Sequence, residues 1–186
     1  AFKNAYKLRE YKHFTKDVYA NKKDIAPLLD VDLLLLPVSY KGHAITFVKH
    51  DNFLAKCDRG VFKMTDPIVI HTIGNTRPLQ DPTFLMNLLY KPQTEKSMKK
   101  DIYQILDLEP YAKLPIKHQI TGNCSWANAE ASVPTMLYML LHDKISNPNK
   151  VPALVSEIMT FYHAWLEWDK DRAIEDWLVG FDNLSF

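Results

Sequence analysis

The sequence predicts an α+β fold, with a small central sheet containing a hairpin and helices around it. Three observations carry this. Two runs of β-forming residues flank Asp51-Asn52, a pair that tolerates positive φ. Apolar residues recur at helical spacing after Cys124. The segments along the chain run helix, strands, helices, a strand, helices.

In order, residues 1 to 30 are rich in Lys and Tyr and are expected to form a helical N-terminal extension ending in "DIAPLLD". "DLLLLPVSY" is a short apolar run stopped by Pro37, as a buried strand would be. "GHAITFVKHDNFLAKCDRG" reads as the hairpin and "DPIVIHTIGN" as a further strand. Between 81 and 110, "PTFLMNLLY" and "KSMKKDIYQILDLE" read as helices around an exposed loop, "KPQTEK". "YAKLPIKHQITGN" reads as extended. From Cys124 the chain turns helical, with Pro134 kinking that helix or starting a second one capped by Ser132. After the loop "NPNKVP", residues 150–186 are expected to form one or two amphipathic helices packed on the core. Phe161, Trp165 and Trp168 would share one core-facing stripe, with a docking surface for a protein as the alternative.

A chain of 186 residues suffices for one domain, 1–186, with a real core. The formal net charge of +1 and 24% charged residues argue against a surface that wraps nucleic acid. The longest aliphatic run, Leu33 to Leu36, is far too short to span a bilayer, and no leader is recognisable at Ala1. Two cysteines without a CxxC pair point to a reduced, cytoplasmic compartment. No HExxH, paired CxxC, GxxxxGK[ST] or GxGxxG occurs, so neither a metal nor another cofactor is expected.

One constellation carries chemistry. With Asp51-Asn52 as the turn, His50 pairs with Phe53 and Ile45 faces Asp58. His43 then lies two residues along the same face, within side-chain reach of Asp58. Asn123 is a suitable cap, which puts Cys124 in the first turn of a helix. Unpaired N–H groups and the macrodipole there favour a thiolate. The preceding turn and Gln119, five residues upstream, are candidate oxyanion donors. Cys57 points to the opposite face and is expected in the core. His71 is a substitute base if the hairpin is misread. His50 and His118 read as solvated, and His142 as a residue near a helix end.

The order His43, Asp58, Gln119, Cys124 resembles the cysteine proteases related to adenain and the ubiquitin-like-protein proteases. "LLLLPVSYKGHAITFVKHDNFLAKCDRG" is similar to their strand, His-strand and Asp-strand block, and "QITGNCSWANAEA" to their oxyanion-Gln and nucleophile-helix block. "GNCSWAN" and "CDRG" also resemble cysteine-protease-like domains of secreted bacterial effectors. The resemblance implies a papain-like permuted fold with the nucleophile at a helix N-terminus. It implies Cys124 as nucleophile, His43 as general base, Asp58 as its orienter and Gln119 as oxyanion donor. The implied substrate is a protein, with ubiquitin-like conjugates as one class, and the implied place of action, for an effector, is a host cytosol. Members that accept Gly-Gly tails carry an aromatic after the catalytic His and read Asp-Cys-Gly at the nucleophile. This chain has Ala44 and Asn123-Cys124-Ser125, so the likeness extends to the catalytic residues more than to the tunnel. Acyltransferases of the YopJ type share the order, generally with Glu where this chain has Asp58. A catalytically inactive protein-binding module is the alternative from another class.

Overall fold

The computed structural model describes residues 1–40, 42–60, 66–119, 123–142 and 148–182. Five strands form one antiparallel meander in the order β1-β2-β3-β4-β5: β1 Leu33–Tyr40, β2 His43–His50, β3 Phe53–Cys57, β4 Ile68–Ile73 and β5 Leu108–Lys113. Alternation along these strands feeds two cores. Leu34, Leu36, Val38, Ile45, Phe47 and Leu54 face one side, where they meet α1 (Phe2–Phe14), α2 (Lys22–Leu29), α3 (Pro82–Tyr90) and α4 (Ile102–Leu106). Leu35, Val48, Phe53, Ala55 and Cys57 face the other, covered by α5 (Cys124–His142) and α6 (Val151–Asp182). The result is an antiparallel sheet buried between two helical layers. Both faces of β1 are therefore apolar, which explains the unbroken leucine run.

The hairpin forms as expected. Asp51 takes φ 47° in the turn, His50 pairs with Phe53, and the pairing continues to Thr46 opposite Cys57. Asp81 begins α3 by accepting from the Thr83 N–H at 2.8 Å, with Pro82 in the first position, where no N–H is needed.

Several expectations are corrected. The first thirty residues carry two helices whose Leu8, Ile25 and Leu29 belong to the first core. Pro134 starts no second helix: α5 runs through it from Cys124 to His142. Pro134 withholds the N–H that would meet Glu130 O, and next to it the Thr135 hydroxyl donates back to Ala131 O at 2.9 Å. Ser132 is thus mid-helix, not a cap. The segment before β5 stops being helical at Leu106, because Asp107 adopts φ 50°, and Leu108 already begins the strand. "KPQTEK" is more than a solvated loop. Gln93 pairs with Tyr40, and its Nε2 donates to the Asn87 and Leu88 carbonyls that end α3.

The C-terminal segment is one helix, and only its first half packs on the core. Leu154, Ile158, Met159 and Tyr162 are buried, whereas residues 170 to 178 are all exposed. Phe161 and Trp168 are 51% and 58% exposed, so they do not form the expected core stripe; Tyr162 is the aromatic that reaches the core. Residues 183 to 186, within the expected C-terminal helical region, lie outside the described residues. Among the described residues no helix is long and apolar enough to cross a membrane.

Candidate active site

The open end of the hairpin assembles the chemistry. Gly42, at φ 75°, sits in the turn from β1, and His43 is the first residue of β2. Asp58 follows the last residue of β3. Alternation puts His43 with Ile45 and Phe47, and Asp58 with Leu54 and Lys56, on the same face of the sheet. His43 Nε2–H donates to Asp58 Oδ1 at 2.7 Å, as the register predicts. The carboxylate only accepts, so this bond fixes the proton on Nε2 and leaves Nδ1 as the basic nitrogen. The Tyr40 ring packs at 85° to the imidazole, with centroids 5.6 Å apart.

Asp58 is itself held. Lys56 Nζ lies 3.0 Å from Oδ2, and the Gly60 N–H donates to Oδ1 at 3.3 Å. Burial pushes this carboxyl up, but the Lys56 ammonium and the His43 hydrogen bond outweigh it, so the carboxyl sits below its ordinary range. A folded value below the unfolded one, about 3.9, stabilises the fold above that pH and is lost as pH falls through the folded value. Asp58→Asn is therefore expected to cost most stability near neutral pH. Urea unfolding at several pH values should show the gap from wild type shrinking below about pH 4.

Gly60 is where a side chain cannot be added freely. A Cβ there would lie 3.0 Å from His43 Cε1, and 3.1 Å from both His43 Nε2 and Asp58 Oδ1. Gly60→Ala is expected to push the imidazole aside and lower Cys124 reactivity by about tenfold to a hundredfold. The low-field NMR resonance of the His43 Nε2 proton, read in both proteins, checks the displacement.

Cys124 is the first residue of α5, which packs on the opposite face of the sheet from His43. Its helix begins at Asn123, whose carbonyl accepts from the Ala127 N–H at 3.0 Å. The free, half-buried thiol accepts a hydrogen bond from the Ala44 N–H at 3.3 Å, the amide next to His43. An N–H is thus directed at the sulfur in the first turn of a helix. Cys57 is fully buried, and burial pushes its thiol up to about 12, as expected of a packing residue.

Gln119 is brought to the same place by its backbone, whose N–H donates to Arg59 O at 2.9 Å. Its Oε1 is buried without a hydrogen bond among the described residues, an unspent polar atom beside the site. The 120–122 turn, expected to present oxyanion donors, lies outside the described residues.

Sequence reasoning missed the supports. Arg59 Nε donates to Lys117 O at 2.9 Å and Nη1 to Glu130 Oε1 at 2.8 Å, and Tyr162 O–H donates to the same Glu130 oxygen at 2.6 Å. This chain of bonds ties the end of β3 to α5, α6 and the Gln119 segment. A lone Arg after an Asp carried no signal, because its partners are 58 to 71 residues away. Nor is His118 a solvated residue: it is half-buried and its Nδ1–H donates to Gly60 O at 2.8 Å.

The remaining histidines stand apart. His50 is buried rather than exposed and donates from Nδ1 to Asp32 O at 3.2 Å. His71 is buried in β4 against Tyr103, and burial lowers its basicity. His142 ends α5 and bonds Tyr111 Oη at 2.7 Å. Among the described residues no His, Cys, Asp or Glu cluster could hold a metal ion. A cavity of about 680 Å³ lies at the turn end of the hairpin, lined by Lys23, Asp30, Lys49, Asp51 and Leu79. None of the four candidate residues borders it, and the hydrogen-bond geometry, not the cavity, locates the site.

No family model and no curated protein sequence matches the chain. Along its whole length it is similar to a solved structure of the Legionella effector AnkH, with 34% sequence identity and a TM-score of 0.82. The chain spans 38% of the length of that AnkH chain.

Proposed function

We propose that this domain is a thiol hydrolase of the adenain and ubiquitin-like-protein protease type, with a papain-like permuted arrangement, cleaving a peptide or isopeptide bond in a protein. The observation that carries the proposal is the pairing of His43 Nε2 with Asp58 at 2.7 Å, while the Cys124 thiol rests on the amide of the very next residue, Ala44. The likeness to AnkH supports placing the activity in an effector delivered to a host cytosol.

In this mechanism His43 Nδ1 takes the proton of Cys124, and Asp58 stabilises the imidazolium. The thiolate attacks the scissile carbonyl carbon, and the oxyanion is met by donors near Gln119. Collapse breaks the C–N bond as Nδ1–H protonates the leaving amine, giving a thioester. Water then attacks the thioester, His43 accepts its proton, and the acid and thiol are released.

The test is labelling by a panel of peptidyl and ubiquitin-like C-terminal electrophiles, with acetyl-CoA in parallel, read by peptide mass spectrometry. Adducts on Cys124 that His43→Ala abolishes are expected. Acetylation of Cys124 from acetyl-CoA would instead indicate an acyltransferase. Failure of every reagent on a folded protein whose unfolded thiol reacts would sink the catalytic reading.

A further inference from the structure

The β2–β3 ladder ends one rung early, and site residues fill the missing rung. Hydrogen-bonded pairs of this hairpin fall at 50/53, 48/55 and 46/57, so the next would join Ala44 and Arg59 by two N–H···O bonds. Neither bond forms. The Ala44 N–H goes to Cys124 Sγ, and Arg59 O accepts from the Gln119 N–H. The other two groups are bridged by one side chain. Asn128 Nδ2 donates to Ala44 O, and Asn128 Oδ1 accepts from the Arg59 N–H at 2.7 Å. Asn128 is fully buried, one helical turn beyond Cys124 on α5. A carboxamide carries a donor and an acceptor, so it can stand between two separated strand backbones and satisfy both.

This placement solves a geometrical problem. His43 and Asp58 lie on the α1–α4 face of the sheet, whereas Cys124 comes from the α5 face. A closed 44/59 rung would consume the amide that the thiol uses. We propose that Asn128 is the positioning residue of the site: a polar wedge that holds the hairpin open so that the thiol can reach the Ala44 amide beside His43. The proposal rests on the hydrolase reading only for the consequence it has for reactivity; the wedge itself stands on the hydrogen-bond pattern. Without Asn128, the Arg59 N–H is free to bond Ala44 O directly, and the rung closes. Cys124 then loses its donor while the rest of the sheet persists.

Two readouts on wild type and Asn128→Ala test this. The first is the Cys124 alkylation rate by iodoacetamide as a function of pH. The second is the ¹H–¹⁵N signal of Ala44 before and after alkylation. The wedge predicts that the wild-type Ala44 amide shifts when the thiol is alkylated and that N128A abolishes the shift. It also predicts that N128A slows alkylation at pH 6 by at least about tenfold, with circular dichroism unchanged. A folded N128A protein that keeps both wild-type behaviours overturns the wedge and leaves the hydrolase proposal standing. A wild-type thiol with an ordinary titration contradicts a resting Cys124–His43 ion pair, and the Ala44 signal alone then decides the wedge. Should N128A not fold, N128S is used: its hydroxyl is too short to bridge both backbones, and the same two losses are expected. A wild-type Ala44 amide indifferent to alkylation contradicts the wedge without any variant.

Discussion

Cys124→Ser is expected to abolish turnover of any substrate the wild type cleaves, by on the order of 10⁴-fold or more, while unfolding within about 1 kcal/mol of wild type. The thiol is half-buried, and its one described hydrogen bond is accepted from the Ala44 N–H, a role a serine oxygen can also fill. His43→Ala should lose activity on a similar scale, since it removes both the base and the group that Asp58 orients. The double variant should be no worse than the poorer single one, because nucleophile and base act as a unit. Fluorogenic turnover for the three proteins checks this. Losses that multiply would argue that the two residues act separately.

Arg59→Ala should be the most destabilising single change at the site, by about 2–4 kcal/mol in urea unfolding. Arg59 and Glu130 are only 15% and 17% exposed, so neither charge is well solvated if the other is removed. Losing the guanidinium leaves Glu130 with the Tyr162 hydroxyl as its described partner and frees Lys117 O. Burial and Glu130 already push the Tyr162 phenol up, which keeps its proton in place as a donor to that carboxylate. Glu130→Gln should cost less, because an amide oxygen still accepts from both Tyr162 and Arg59. Equal losses for the two variants would contradict this, showing that the charge rather than the hydrogen bonds an amide keeps carries the stability.

The hairpin, the His43–Asp58 contact and the position of Cys124 at a helix start were legible because each follows from local rules. A two-residue Asp-Asn turn fixes the pairing arithmetic, alternation fixes the faces, and Asn before Cys marks a cap. What stayed hidden depends on residues distant in sequence. Asn128 and Glu130 find their partners only when α5 is laid against the open end of β2 and β3, which no local pattern announces. Phe161 and Trp168 misled for the reverse reason. Their spacing is that of a buried stripe, but α6 turns Tyr162 to the core and carries them on its solvent side. Asp107 shows the same limit at short range, since a left-handed Asp ends α4 two residues before apolar spacing alone would end it.

The central claim is that Cys124 and His43 form one reacting pair, and the pH dependence of Cys124 alkylation by iodoacetamide tests it most directly. Peptide mapping separates Cys124 from the buried Cys57, which should stay unmodified in the folded protein. In wild type the rate should remain on a plateau well below pH 7, and His43→Ala should lose that plateau. A single titration near pH 8.5, the value of an ordinary thiol, shared by both proteins would contradict a resting pair.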